Sequence, residues 1–148
     1  MKKKRVLVCF GTRPEAIKMA SVVHELRKSH QLEIAVCVTA QHRQMLDQVL
    51  DFFEIKADYD LNLMQSNQTL NELAGRIFLA IDQVLLDFSP DIVLVHGDTT
   101  TSSACAWAAF HRQIKVGHIE AGLRTFDKLS PFPEELNRQI TGRIADFH

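Results

Sequence analysis

The sequence predicts an α/β protein built on a Rossmann-like, doubly wound parallel sheet, and three observations carry that reading. Compact apolar runs recur at residues 5–10, 33–38, 92–96 and 116–119. Between them lie segments whose apolar residues repeat at helical spacing, and strands alternating with helices imply βαβ units with right-handed crossovers. Two of the runs stop at a carboxylate close to a glycine, at Gly97-Asp98 and at Glu120-Ala121-Gly122. In open α/β sheets ligands bind in the crevice just past the carboxyl ends of the strands, so Asp98 and Glu120 read as two walls of one site.

The first run is followed at once by Gly11-Thr12-Arg13-Pro14-Glu15. Thr12 and Glu15 have capping-box spacing, and Pro14 falls in a first turn, where its missing N–H is tolerated. A helix therefore begins here, carrying Ile17, Ala20, Val23, His24 and Leu26 toward the sheet and ending near Ser29. A strand over 33–38 follows, then a helix over 43–53 with Met45, Leu46, Val49, Leu50 and Phe53 at helical spacing. Residues 59–63 read as a short strand. Residues 69–88 form a long amphipathic helix closed by Ser89-Pro90. After the strand ending at His96 come a small-residue helix over about 101–111, the strand ending at Ile119, and a loop. Pro133 opens a last helix, with Glu134 and Glu135 near the positive end of its dipole.

With 148 residues, 46% of them hydrophobic, one domain with a sizeable core is the default. The formal net charge of -1 gives no basic excess for a phosphate backbone, so no nucleic acid partner is expected. Met1-Lys2-Lys3-Lys4-Arg5 resembles the basic start of a signal peptide, but the apolar run behind it ends at Gly11, too short for the apolar region such a peptide needs. No run approaches the length of a membrane span, so no membrane partner is expected either. Cys9, Cys37 and Cys105 form no C-x-x-C pair and sit in apolar segments, which favours reduced, buried thiols and a cytoplasmic location.

The turn at Gly11 to Pro14 places backbone amides and a helix dipole where they favour an anion. Arg13 is suited to grip a phosphate or carboxylate there, and Lys18 adds positive charge one turn on. An ordinary capped helix with solvated basic residues accounts for the same letters. The turn is neither G-x-G-x-x-G nor a Walker loop, so dinucleotide and P-loop chemistry lose support and no cofactor is expected. Asp98, ahead of Thr99-Thr100-Thr101, reads equally as a helix N-cap. The strand period of two puts His118 and Glu120 on one face and likewise pairs His96 with Asp98. A half-buried carboxylate there has a raised pKa and serves as general acid or base near neutral pH. These H-x-D and H-x-E pairs resemble metal ligands, but they lack H-E-x-x-H spacing and cysteine support, so no metal is expected. The segment Pro131-Phe132-Pro133-Glu134-Glu135-Leu136-Asn137-Arg138 adds carboxylates and an arginine one turn on. A Pro-started helix with acidic residues at its positive end accounts for that pattern as well.

Five ordered blocks resemble the non-hydrolysing UDP-N-acetylglucosamine 2-epimerases: Phe10-Gly11-Thr12-Arg13-Pro14-Glu15-Ala16-Ile17-Lys18-Met19-Ala20, Val38-Thr39-Ala40-Gln41-His42-Arg43, Val95-His96-Gly97-Asp98-Thr99-Thr100-Thr101, Gly117-His118-Ile119-Glu120-Ala121-Gly122-Leu123-Arg124 and Pro133-Glu134-Glu135. The resemblance covers essentially the whole chain. It implies one half of a GT-B type architecture of two Rossmann-like domains with the active site in the cleft between them. Residues 1–148 are similar to the N-terminal domain, so the C-terminal nucleotide-binding domain is expected to lie outside this chain.

By position, the resemblance implies catalytic roles for Asp98, Glu120 and Glu134 and substrate-binding roles for Arg13 and Lys18. Gln41, His42 and Gln44 match a neighbouring site where a second UDP-N-acetylglucosamine activates some bacterial members, some of which carry an arginine near the position of Asn67. The implied activity is interconversion of UDP-N-acetylglucosamine and UDP-N-acetylmannosamine by elimination and re-addition of UDP, in a full-length homodimer serving cell-surface polysaccharide biosynthesis. The isolated chain is expected to be inactive. A hydrolysing epimerase or GT-B glycosyltransferase is one alternative, and a non-catalytic stand-alone binding module is another.

Overall fold

In the computed structural model, which describes residues 2–40 and 43–148, the first apolar run forms β1 (Lys4–Phe10) near the middle of a five-stranded sheet. The chain continues through α1 (Arg13–Arg27), β2 (Leu32–Val38), α2 (Arg43–Phe52), β3 (Tyr59–Asp60), α3 (Leu70–Phe88), β4 (Ile92–His96), α4 (Thr100–His111), β5 (Lys115–Ile119) and α5 (Glu134–Ile144). All four strand pairings are parallel and the order is β3-β2-β1-β4-β5. Strand order reverses between β1 and β4, and the crevice for a ligand opens at such a switch point. The expected doubly wound fold is present.

Alternate residues of β1 feed two cores. Val6, Val8 and Phe10 pack with Ala16, Met19, Ala20 and Val23 of α1 and Leu46, Val49 and Leu50 of α2. Leu7 and Cys9 pack with Ile77, Ile81 and Leu85 of α3 and with the small residues of α4 on the other face. Cys9, Cys37 and Cys105 are free, buried thiols in that second core. The Thr-Thr-Ser-Ser-Ala-Cys-Ala sequence lets α4 sit buried between the sheet, α3 and α5, since small side chains allow close approach on every side.

The helices match the expected positions with shifts of one or two residues. In α1 the inward stripe is Ala16, Met19, Ala20 and Val23, whereas Ile17 is 44% exposed and His24 faces solvent, its Nε2 donating to the Phe53 carbonyl. The stripe is rotated by one residue because Glu15 turns inward, buried, and sets the phase of the first turn. The helix ends at Arg27 rather than near Ser29. Met45 is exposed, and Phe53 lies in the turn beyond α2. The strand expected over 59–63 shrinks to Tyr59–Asp60 because Asn62 takes a left-handed φ of 48°, although Leu61 and Leu63 still donate N–H bonds toward β2 and Thr39. At α3, Thr69 and Glu72 form the reciprocal capping box, with bonds of 3.1 and 2.7 Å. No helix among the described residues is long and apolar enough to cross a membrane.

Candidate functional site

The site lies past the carboxyl ends of β4 and β5, and two left-handed residues shape it. Gly97 has φ 65° and Glu120 has φ 58°. Each breaks the alternation of its strand one step beyond the last ladder residue, so the expected pairing of His118 with Glu120, and of His96 with Asp98, on common faces does not occur. Glu120 instead meets His96, whose Nε2 lies 2.6 Å from Glu120 Oε2. Lys18, reaching over from α1, donates to both Glu120 oxygens at 2.9 and 2.7 Å. His118 turns the other way, is buried, and donates from Nε2 to the Gly97 carbonyl at 2.7 Å.

The expectation that Glu120 has a raised pKa is overturned. The Lys18 ammonium on both its oxygens holds the Glu120 carboxyl below the usual carboxylate range, against a smaller upward push from desolvation, and His96 adds to the lowering. The side chain is 41% exposed, so burial cannot outweigh the two basic partners. For His118 the balance is reversed: burial pushes its imidazole down despite the bond to Gly97, and Arg138 adds to that.

Asp98 does not cap α4. The cap is Thr99, whose Oγ1 accepts from the Ser102 N–H at 3.0 Å, because the turn at Gly97 carries the Asp98 side chain away from the helix axis and toward α5. There Arg138, only 5% exposed in its side chain, donates to Asp98 Oδ2 at 2.7 Å and also donates to the Glu120 carbonyl. Its neighbour Asn137 donates to the Asp98 carbonyl at 3.1 Å. One helical turn of α5 thus holds the ends of β4 and β5 together.

Glu134, in the first turn of α5, lines a cavity of about 230 Å³ with Asp98, Thr12, Thr99, Thr100 and Asn137. Its Oε2 is buried without a hydrogen-bond partner among the described residues, an arrangement that is costly for a carboxylate. Glu135 is different: its oxygens accept the Thr125 and Phe126 amides at 3.1 and 3.0 Å and so tie the long loop to α5.

Of the residues singled out from sequence, Lys18 and Glu120 are in direct contact, and Asp98 and Glu134 line one cavity. Arg13 stands apart from these contacts, exposed in a groove of about 300 Å³ with Ile17, Gln48, Val49, Phe52 and Phe53, and without an ion pair among the described residues. Gln44 is exposed in the first turn of α2, and Gln41 and His42 lie outside the described residues. The sequence pattern alone gives Arg138 and Asn137 no role. Their spacing of three and four from Glu134 places them on its face of the helix, the one signal that points to them. Among the described residues no group of three or more His, Cys, Asp or Glu side chains is arranged to hold a metal ion.

A family model described as UDP-N-acetylglucosamine 2-epimerase matches residues 24–148. The chain belongs to the UDP-N-acetylglucosamine 2-epimerase family. The UDP-N-acetylglucosamine 2-epimerase of Bacillus subtilis (strain 168) is 62% identical over 148 residues, 100% of this chain and 39% of that protein. The solved structure of UDP-GlcNAc 2-epimerase from Neisseria meningitidis bound to UDP-GlcNAc is 59% identical with a TM-score of 0.93, covering 97% of this chain and 40% of the other. The Methanocaldococcus jannaschii UDP-GlcNAc 2-epimerase, solved in complex with UDP-GlcNAc and UDP, is 35% identical with a TM-score of 0.88, covering 95% and 38%. The chain therefore spans about two fifths of the length of these epimerase relatives.

Proposed function

We propose that residues 1–148 are the N-terminal, Rossmann-like half of a GT-B type protein that interconverts UDP-N-acetylglucosamine and UDP-N-acetylmannosamine. The observation that carries this reading is the pairing of Glu120 with Lys18 and His96, tied through Arg138 to Asp98, which lines one cavity with Glu134, in a chain whose relatives are named for that epimerisation. The C2 proton of such a sugar has no adjacent ketone and is weakly acidic, so inversion proceeds by elimination. A carboxylate takes the C2 proton while the C1–oxygen bond breaks and UDP leaves with the electron pair, giving a 2-acetamidoglucal. UDP then adds back through oxygen to C1, and a carboxyl returns a proton to the opposite face of C2. Asp98, Glu120 and Glu134 share the proton transfers, while Arg13 and Lys18 bind negative charge on the substrate.

A second UDP-N-acetylglucosamine at Gln41, His42 and Gln44, acting as an activator, belongs to the same proposal. So does a homodimer of the full-length protein, supported by exposed Leu79 and Leu86 on α3 and Trp107 and Phe110 on α4. The three buried free thiols suit a reducing, cytoplasmic setting.

The test is isotopic. The full-length protein working in deuterated water should place deuterium at C2 of the product, and an oxygen isotope in the C1 bridging position should scramble within the diphosphate. Deuterium without scrambling counts against elimination, and product with neither change removes the proton-transfer roles. Free N-acetylmannosamine or sugar transfer to an acceptor would instead favour a hydrolysing epimerase or a glycosyltransferase. Binding without any turnover by the full-length protein would favour a non-catalytic module.

A pH experiment follows from the lowered Glu120 pKa. A carboxyl whose folded pKa lies below its unfolded one contributes fully above the unfolded value, and that contribution is lost as pH falls through the folded value. Lys18→Met removes the largest cause of the lowering, so the acid limb of kcat/KM should move to higher pH. A limb that does not move would separate Lys18 from the ionisation of Glu120.

A further inference from the structure

Glu15 does more than the capping box asked of it. Its side chain is buried, with 1% of the residue exposed, and carries no ion pair among the described residues. Oε2 accepts from the Gly11 and Thr12 N–H groups at 3.0 and 2.8 Å and from the Thr12 hydroxyl at 2.8 Å. Oε1 accepts from the Thr99 hydroxyl at 2.7 Å and lies 3.3 Å from that of Ser102, whose Oγ also donates to the His96 carbonyl. One carboxylate therefore joins the loop after β1 to the loop after β4, 84 residues apart in sequence, across the switch point. A capping-box glutamate needs only the N-cap amide and can do this at the surface. Burying a carboxylate costs free energy unless donors surround it, and here they come from both loops.

We propose that Glu15 is a positioning residue that sets the distance between the start of α1, which carries Lys18, and the end of β4, which carries His96 and Asp98. Lys18 lies three residues beyond Glu15 on the same helix, and His96 is the residue whose carbonyl Ser102 holds. The tie keeps the cation of α1 in register with the carboxylates past β4 and β5. Its kinetic consequence rests on the function proposed above, because a misplacement of about 1 Å costs roughly 100-fold in rate.

The experiment uses the full-length protein with Glu15→Ala, Glu15→Gln, Thr99→Val and the double variant Glu15→Ala/Thr99→Val. Glu15→Ala should lower kcat per folded molecule by about 100-fold with a smaller change in KM. Glu15→Gln should recover to within about tenfold of the parent, since its amide oxygen keeps the Gly11 and Thr12 amides while its NH2 faces the Thr99 hydroxyl, which accepts in place of donating. The double variant should be no slower than the slower single one, because both remove the same tie. Multiplying losses, or an unchanged kcat in folded Glu15→Ala, would return Glu15 to a local cap. Should Glu15→Ala not fold, Glu15→Gln against Glu15→Gln/Thr99→Val makes the same comparison. Amide hydrogen exchange in these variants is read without substrate: exchange at Ser102 should rise at least tenfold when Glu15 is changed to Ala, and by less in Glu15→Gln. Exchange at the parent rate in both would overturn the positioning role. A parent protein without epimerase activity, but with the expected exchange, would overturn the proposed function and leave the positioning role standing.

Discussion

Replacing Glu120 with Gln in the full-length protein is expected to slow interconversion by about two to four decades, the range for a lost acid or base group. At about 1.4 kcal/mol per decade this is roughly 3 to 5 kcal/mol of barrier. The same change breaks the Lys18–Glu120 pair, but both side chains are more than two fifths exposed, and such a pair contributes at most about 1 kcal/mol to stability. Rate and thermal midpoint should therefore part company, which a purely structural Glu120 would not allow. Asp98→Asn and Glu134→Gln should fall in the same rate range. Asp98→Asn carries an added stability cost because Arg138 is buried and loses its charged partner, so its rate is compared per folded molecule. For Glu134 the isosteric amide removes the charge without breaking a hydrogen bond of Oε2 among the described residues, so a large rate loss with little change in midpoint is expected. Near-parental rates in all three variants would return these residues to structural roles.

The second large effect is on the isolated chain. Residues 1–148 expressed alone should give no measurable turnover, while the full-length protein turns over. Departure of UDP needs cations and donors aimed at the developing diphosphate charge, and loss of a single such donor costs about two to three decades. On this chain Lys18 is already bound to Glu120 and Arg138 to Asp98, while Arg13, the other cation the proposal assigns to the substrate, stands apart in its own groove without an ion pair among the described residues. The relatives extend well beyond this segment, and the proposal assigns the remaining donors to that portion. The assay is conversion of UDP-N-acetylglucosamine by the fragment, by the full-length protein, and by the fragment with the rest of the protein supplied separately. Turnover by the fragment at a rate near that of the full-length protein would overturn the two-domain reading.

Much of the fold was legible because its signals are local. The apolar runs at 5–10 and 33–38, the Thr12–Glu15 spacing, and Pro14 and Pro133 at helix starts act over a few residues, so element order and the parallel sheet could be read directly. The family could be read as well, from five blocks whose order no single motif would establish. Candidate residues could be named from the sequence, yet the contacts among them could not. Glu120 meets Lys18 across 102 residues and Asp98 meets Arg138 across 40. No periodicity reaches that far.

The letters at the ends of β4 and β5 show where that boundary falls. Strand alternation determined which face Val93, Val95 and Val116 present to α3 and α4, because the ladder enforces a period of two as long as the backbone stays extended. At Gly97 and Glu120 the chain leaves the ladder with positive φ, and the period ends with it. From there the three-dimensional fold alone decided that Glu120 turns to His96 and Lys18, that Asp98 turns to Arg138, and that Glu120 is stabilised as a carboxylate. Charges far apart in sequence act on one another only once the strands and helices that carry them have packed.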